Sequence, residues 1–161
     1  MNTIIYLIRH SESTKIISHL INNDNLQIRN EKTVLSTSGE KKTEKLSSNE
    51  EMKNVDVVIS SNYVRAIATA KYIAEYNNTN INIIDEFGER KFGIDNWNEL
   101  PNDFEKKQIE DPNFKMNNGE NQREVADRMY NTLIKVLNNY KGKKVVIVSH
   151  ATAITFLSFI I

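Results

Sequence analysis

Four short apolar runs interrupt an otherwise polar chain: Ile4 to Ile8, Val55 to Ile59, Ile81 to Ile84 and Val145 to Val148. Each is brief, continuous and rich in β-branched residues. That is the signature of a strand covered on both faces, as in a parallel sheet. The segments between them read differently. Ser11 to about Asn23 reads as a helix with a polar exit, capped by Ser11 or Ser13. Asn22 to Thr37 is polar and poorly periodic and reads as a surface loop. Ser36-Thr37-Ser38-Gly39-Glu40 opens a charged helix to about Asn49, with Thr37 and Glu40 at capping-box spacing. Val64 to Ala74 places small and apolar residues at helical spacing. Glu86 to Trp97 is irregular and holds Gly88 and Gly93. Pro101 to Glu110 predicts a short helix with Pro101 near its first turn, and Asp111 to Glu120 a loop. Asn121 to Tyr140 is a long amphipathic helix with Val125, Met129, Leu133, Val136 and Leu137 on one stripe. Lys141-Gly142-Lys143 stops it, and an apolar helix from Thr152 to Ile161 closes the chain.

Strands that alternate with helices, without hairpin signals, predict an α/β fold: three layers, α/β/α, a mostly parallel sheet with helices on both faces. No internal repeat, low-complexity tract or linker divides the chain, so residues 1–161 are expected to form one domain.

Charge narrows the function more than composition does. Lys plus Arg and Asp plus Glu both number 21, giving a formal net charge of zero over 161 residues. A nucleic-acid or acidic-membrane partner held by bulk charge is therefore not expected, while a small cationic pocket remains open. There is no cysteine, which removes disulfides, thiolate metal sites and cysteine nucleophiles together. No basic-apolar-small leader pattern opens the chain, and no apolar run approaches the roughly 20 residues that span a bilayer. The expectation is a cytoplasmic protein.

Candidate chemistry sits at the ends of the runs. His10 and His150 each terminate an apolar strand, Arg9 precedes His10, and Arg65 begins the helix after the second strand. In open α/β sheets ligands bind beyond the carboxyl ends of the strands, so the four share one sheet edge if the strands are parallel neighbours. Arginine forks suit phosphate oxygens, and helix N-termini add positive partial charge. A phosphate monoester or phosphoanhydride is the natural guest. One histidine at a strand end is most often structural; three sites converging on one edge are not. Adjacent strand residues point to opposite faces, so Arg9 and His10 can share a pocket only if the strand ends at Arg9. His19 follows into a polar loop with nothing to pair with, and is read as structural.

Leu7-Ile8-Arg9-His10-Ser11-Glu12-Ser13 resembles the Arg-His-Gly-Glu motif of the histidine phosphatase superfamily, the phosphoglycerate mutase-like family. Further along, Leu35-Ser36-Thr37-Ser38-Gly39-Glu40 resembles its Leu-Thr-x-x-Gly segment. Ser60-Ser61-Asn62-Tyr63-Val64-Arg65-Ala66-Ile67-Ala68-Thr69-Ala70 resembles its Ser-Ser-x-x-x-Arg-Ala-x-x-Thr-Ala block. Glu89-Arg90-Lys91-Phe92-Gly93 resembles its Glu-x-x-x-Gly segment. Asn118-Gly119-Glu120-Asn121 with Arg128 resembles Gly-Glu-Ser with a downstream Arg, and Val148-Ser149-His150-Ala151 resembles Val-Ser-His-Gly.

The resemblance implies a phosphoglycerate mutase-like fold and these roles. His10 would be the nucleophile and carry a phosphohistidine. Arg9, Arg65 and His150 would hold the phosphoryl oxygens. Glu89 would protonate the leaving oxygen and then activate water. Glu86 is the competing acid; the spacing from Glu89 to Gly93 favours Glu89. The neutral His10 should donate from its other ring nitrogen to a backbone carbonyl. No metal and no cofactor are implied.

Several positions depart from the family pattern. Ser11 stands where the family keeps glycine, and Ala151 where it has another. Ile16 replaces a polar amide, and Ser13 could supply the missing phosphate contact. No basic pair follows Trp97, where Asn98-Glu99-Leu100-Pro101 runs instead. Family members continue with a further strand beyond the last helix, so a C-terminal edge segment is expected to be lacking, and the apolar Phe156 to Ile161 is expected to be buried.

The leading expectation is a metal-independent phosphatase acting on a small phosphorylated substrate or a phosphoprotein. The alternatives are a mutase, disfavoured by length and the absent basic pair; a degenerate module that binds a phosphorylated ligand without turnover; and a metallohydrolase using His10, His150 and a carboxylate, against which two neighbouring arginines argue. The substrate and the oligomeric state are not legible. Glu99 to Gly119, with Phe104, Phe114 and Met116, is expected near the pocket mouth.

Overall fold

The structure, a computed structural model, describes residues 2–15 and 24–161. Four strands, β1 (Ile4–Arg9), β2 (Val57–Ser60), β3 (Ile81–Ile83) and β4 (Lys144–Ser149), form one sheet in the order β1-β4-β2-β3. Every pairing is parallel. The register sets Arg9 opposite Ser149 and Ser60 opposite Val148, so the carboxyl ends of three strands finish together.

The central runs, β2 and β4, are covered on both faces, β1 is partly covered, and edge strand β3, against expectation, leaves Asn82 and Ile83 exposed. Val145 and Ile147, with Val57, Ile59, Ile5 and Leu7, face a cluster that includes Val125, Met129 and Val136 of α5 (Gln122–Asn139) and Phe156 and Leu157 of α6 (Ala151–Ser158). Val146 and Val148, with Val58, Tyr6 and Ile8, face Ala66, Ala70 and Ile73 of α3 (Val64–Tyr76), with Leu46 of α2 (Thr37–Ser47) packed beside them. The alternation within β4 is complete, and each fully buried Val or Ile there contributes roughly 1.5–3 kcal/mol. The expected α/β/α layering follows from that two-sided burial.

Several expectations are corrected. Residues 11–15 are extended rather than helical. Thr14 N donates to Val34 O (3.0 Å), Ser36 N donates to Glu12 O (2.9 Å), and Ser13 makes an antiparallel bridge with Leu35. Backbone partners from the incoming chain outcompete a local helix. The rest of that predicted helix, with Ile16 and His19, lies outside the described residues.

The predicted loop before α2 contains α1 (Leu26–Lys32), capped by Asn25, whose side chain accepts from Ile28 N. Its inward stripe is Leu26 and Asn30; a polar residue at one of two core positions hides the period. The helix after Pro101 starts only at Phe104 (α4, Phe104–Glu110), since Pro101 lies in the turn before it. In the C-terminal segment Phe156 and Leu157 are buried, whereas Phe159, Ile160 and Ile161 are exposed. The helix ends at Ser158, and the residues beyond it leave the core.

The first turn of α2 is pressed against the chain just past β1. Ser36 caps it, accepting from Gly39 N, rather than Thr37. A Cβ on Gly39 would lie 2.0 Å from the Glu12 carbonyl oxygen, so only glycine permits this approach. No helix among the described residues is long and apolar enough to cross a membrane.

Candidate active site

β1 ends at Arg9, and His10 follows it outside the strand. The backbone of His10 still donates to Ser149 O (2.9 Å), which anchors it to β4. Its Nδ1 donates to the Ser11 carbonyl at 2.6 Å, so Nε2 keeps a lone pair, and that lone pair accepts from Arg65 Nε at 3.0 Å. Arg65, in the first turn of α3, also donates from Nη1 to the Asn30 carbonyl at 2.5 Å and, more loosely, from Nη2 to His150 Nδ1 at 3.4 Å. His150 Nε2 is then the protonated nitrogen and donates to Ser61 Oγ at 2.8 Å. The two histidines are neutral with opposite tautomers, and their ring centroids lie 5.1 Å apart, edge to face.

Burial and the arginines keep them neutral. His10 is lowered from 6.5 to about 4, first by burial and then by Arg65 and Arg9, against a raising bond to Ser11. His150 is lowered further, to about 2, by burial, then Arg65 and His10, with Arg128 and Arg9 adding to it. Burial also lowers Arg65, with Arg9 adding to the effect. Arg9 sits exposed at the strand end, close enough for its charge to be felt by all three. The fixed positive charge of the site therefore belongs to Arg9 and Arg65.

Ser11, in place of glycine, binds on both sides: its N donates to Thr69 Oγ1 (3.0 Å) and its Oγ to Gly39 O (2.9 Å). Thr69 Oγ1 in turn donates to Arg65 O (2.8 Å). Tyr63 packs against His150, with ring centroids 4.4 Å apart, and lies under the Arg65 guanidinium at 4.8 Å. Its hydroxyl accepts from Gln27 of α1 (2.9 Å), and burial pushes its pKa up to about 12.

Glu89 follows a 3-10 turn, Asp85–Phe87. Its Oε1 accepts from Arg90 N (2.9 Å) and Ala153 N (3.0 Å), and its Oε2 from Thr152 N (3.3 Å). The carboxylate is thus held at the N-terminus of α6, directly after His150. Glu89 is half-buried and its charge is felt by Arg65 and Tyr63, whereas Glu86 is exposed.

His10, Arg65 and His150 are in direct contact, while Arg9 and Glu89 bear on them through their charge. Ser13 is half-buried beside Leu35, and its hydroxyl makes no hydrogen bond among the described residues. Sequence reasoning assigned no role to Asn30, Ser61, Tyr63 or Thr69. Ser61 and Thr69 lie inside the quoted block around Arg65; Asn30 lies on the unanticipated helix, for which Asn25 ahead of Leu26 and Ile28 was the available signal.

Two cavities lie on the Glu89 side of the site, and none of Arg9, His10, Arg65 and His150 lines either of them. One, about 270 Å³, is lined by Gln27, Tyr63, Glu86, Glu89, Lys91 and Arg128 among others. The other, about 540 Å³, shares Gln27 and Lys91 and continues past Asn25, Lys115 and Asn118. His150 is fully buried and Arg65 only 6 % exposed, whereas His10 is half-buried and Arg9 exposed. Phe104 and Phe114 line neither cavity; Phe104 is core. Among the described residues no group of three or more His, Asp or Glu is placed to hold a metal ion.

The model of the histidine phosphatase superfamily (branch 1) matches residues 5–159. The uncharacterized phosphatase PhoE of Bacillus subtilis (strain 168) is 35% identical over 99 residues, which are 62% of this chain and 49% of that protein. The match therefore spans about half the length of this curated relative. Among solved structures, mycobacterial glucosyl-3-phosphoglycerate phosphatase superposes with a TM-score of 0.74 at 18% identity, over 94% of this chain and 76% of the other. Entamoeba histolytica phosphoserine phosphatase, in complex with 3-phosphoglyceric acid, gives 0.75 at 22% identity, over 98% and 78%. At those identities the likeness is one of fold.

Proposed function

Because this chain belongs to the histidine phosphatase superfamily, branch 1, we propose that it hydrolyses phosphate monoesters without a metal, through a phosphohistidine on Nε2 of His10. The observation that carries this reading is the 2.6 Å bond from His10 Nδ1 to the Ser11 carbonyl. It fixes the proton on Nδ1 and leaves Nε2 as the nucleophile.

In the first step Nε2 attacks phosphorus, the ester P–O bond breaks, and the leaving oxygen takes a proton from Glu89, which enters this step protonated and leaves it as the carboxylate. In the second, water attacks phosphorus, the N–P bond breaks, and Glu89 takes the proton released by the water. Two displacements replace one difficult one. Arg9 and Arg65 neutralise the charge on the equatorial oxygens, which is most of what phosphoryl transfer asks. Arg65 must trade its bond to Nε2 for a phosphoryl oxygen as the attack begins. His150, sealed behind Tyr63, orients Arg65 and reaches the phosphoryl group only when that exchange opens the pocket. Ser13 is the remaining candidate for a phosphate contact. The substrate is a small phosphorylated molecule or a phosphoprotein segment.

The test is hydrolysis of a chromogenic aryl phosphate in the presence of a strong chelator, with trapping of acid-labile, base-stable phosphate on His10. Activity that survives chelation, with phosphate trapped on His10, supports the reading. Loss on chelation turns the case to a metallohydrolase. Binding of phosphate without turnover or trapping turns it to a binding module.

A further inference from the structure

Residues 88–96 form neither helix nor strand, yet they carry Glu89. Among the groups that hold them is Arg128, one side chain of α5. Its Nη1 donates to the carbonyls of Glu86 (2.5 Å) and Gly88 (3.1 Å), and its Nη2 to the carbonyl of Glu89 itself (3.2 Å). The remaining donors go to Glu120: Nε to Oε1 (2.7 Å) and Nη2 to Oε2 (3.0 Å). Glu120 then takes hold of the far side of the loop. Its Oε2 accepts from Lys91 N (2.9 Å), and its own N donates to Lys91 O (2.9 Å). Glu89 is thus clamped on both flanks by one ion pair whose side chains are only 20% and 18% exposed.

An ion pair at a surface is worth little in itself. The value here lies in directed donors aimed at fixed carbonyls, a geometry that a planar guanidinium can satisfy and a single ammonium cannot. We infer that Arg128, braced by Glu120, is a positioning residue for Glu89: it holds the loop so that the Glu89 carboxylate stays against the Thr152 and Ala153 N–H groups at the start of α6. Neither Arg128 nor Glu120 needs to touch the reacting atoms. The inference rests on the reading of Glu89 as the proton donor.

The experiment compares the wild type with Arg128→Met, Arg128→Lys and Glu120→Gln. One readout is kcat and KM on two aryl phosphates, one with a strongly acidic leaving phenol and one with an unactivated phenol. The other is amide hydrogen exchange at Thr152 and Ala153. Arg128→Met is expected to lower kcat on the poor leaving group about tenfold or more beyond its effect on the good one, with KM little changed. In a Glu89→Gln background that extra loss should vanish. Exchange at Thr152 and Ala153 should quicken by about tenfold or more while the β4 amides keep their protection.

Arg128→Lys and Glu120→Gln should show the same pattern in weaker form, and they decide the matter if Arg128→Met does not fold. Equal loss on both substrates, a rise in KM alone, or unchanged exchange at the two amides overturns the inference. Exchange does not depend on turnover. A wild type inactive on both substrates would refute the phosphatase reading, while exchange alone would still decide whether Arg128 places Glu89.

Discussion

Arg65 Nε donates to His10 Nε2 at 3.0 Å. That bond joins the cation to the atom we propose as the nucleophile. The same guanidinium reaches the Asn30 carbonyl on α1 and His150 after β4, so one buried fork ties three distant parts of the chain. Lysine offers a single ammonium and cannot serve all three. Arg65→Lys should therefore lower kcat/KM by about 100-fold or more. Steady-state kinetics on an aryl phosphate measures this, and a loss of less than about fivefold would show that the fork is dispensable.

Removing the proposed nucleophile gives a cleaner contrast. His10→Ala should lower turnover by about a thousandfold or more and abolish phosphate trapping. The fold should persist, because the backbone bond from residue 10 to Ser149 O does not use the imidazole. Circular dichroism and a radiolabel trap report the two halves, and trapped label in the variant would move the nucleophile elsewhere.

Glu89→Gln keeps a side-chain oxygen to accept from Thr152 and Ala153 N–H but cannot give up a proton. Turnover of a poor leaving group should fall by about 100-fold or more, and that of a good one by only a few-fold. Equal losses would deny Glu89 the acid's part.

The histidines set a pH window for stability. His10 titrates near 4 in the folded protein, against an ordinary 6.5, and His150 lower still. Below pH 6.5 the unfolded chain takes up protons that the folded one refuses, so stability is full above 6.5 and falls as the pH drops toward 4. The two together should cost on the order of a few kcal/mol across that range. Urea melts at pH 7.5 and 5 measure the loss. The ring signals of His10 and His150 in NMR should stay in the neutral form between those values, and titration of either near 6.5 would contradict the burial of its ring.

Gly39→Ala should destabilise the protein by more than about 2 kcal/mol, because the new methyl would meet a backbone oxygen rather than a side chain that can move. A urea melt within about 0.5 kcal/mol of wild type would mean that the chain at Glu12 gives way freely.

The strands, the long helix of Asn121 to Tyr140 and the residues at the sheet edge were legible because each rests on a local pattern: an apolar run, a 3.6-residue period, or a charged residue placed at a strand end. What escaped depended on partners far away in sequence. Residues 11–15 took an extended form because Val34 and Ser36 came alongside. α1 was hidden because one of its two inward positions is the polar Asn30, whose backbone carbonyl accepts from Arg65. Ser61 was visible only as part of a motif, yet it accepts from His150 Nε2, the nitrogen left with the proton once Arg65 donates to Nδ1. The apolar tail misled for the opposite reason: hydrophobicity alone does not say where a helix ends.

The alignment of Arg9 with Ser149 and of Ser60 with Val148 makes the spatial arrangement of these basic groups a property of strand lengths. Deleting one residue inside β1 would turn every later side chain to the opposite side and send the imidazole of residue 10 away from its neighbour, although no reactive group had been altered. Length changes at the amino ends of the strands, such as in Lys141-Gly142-Lys143, would leave that spacing intact. The chain's chemistry is in this sense counted out along its backbone before any side chain takes part.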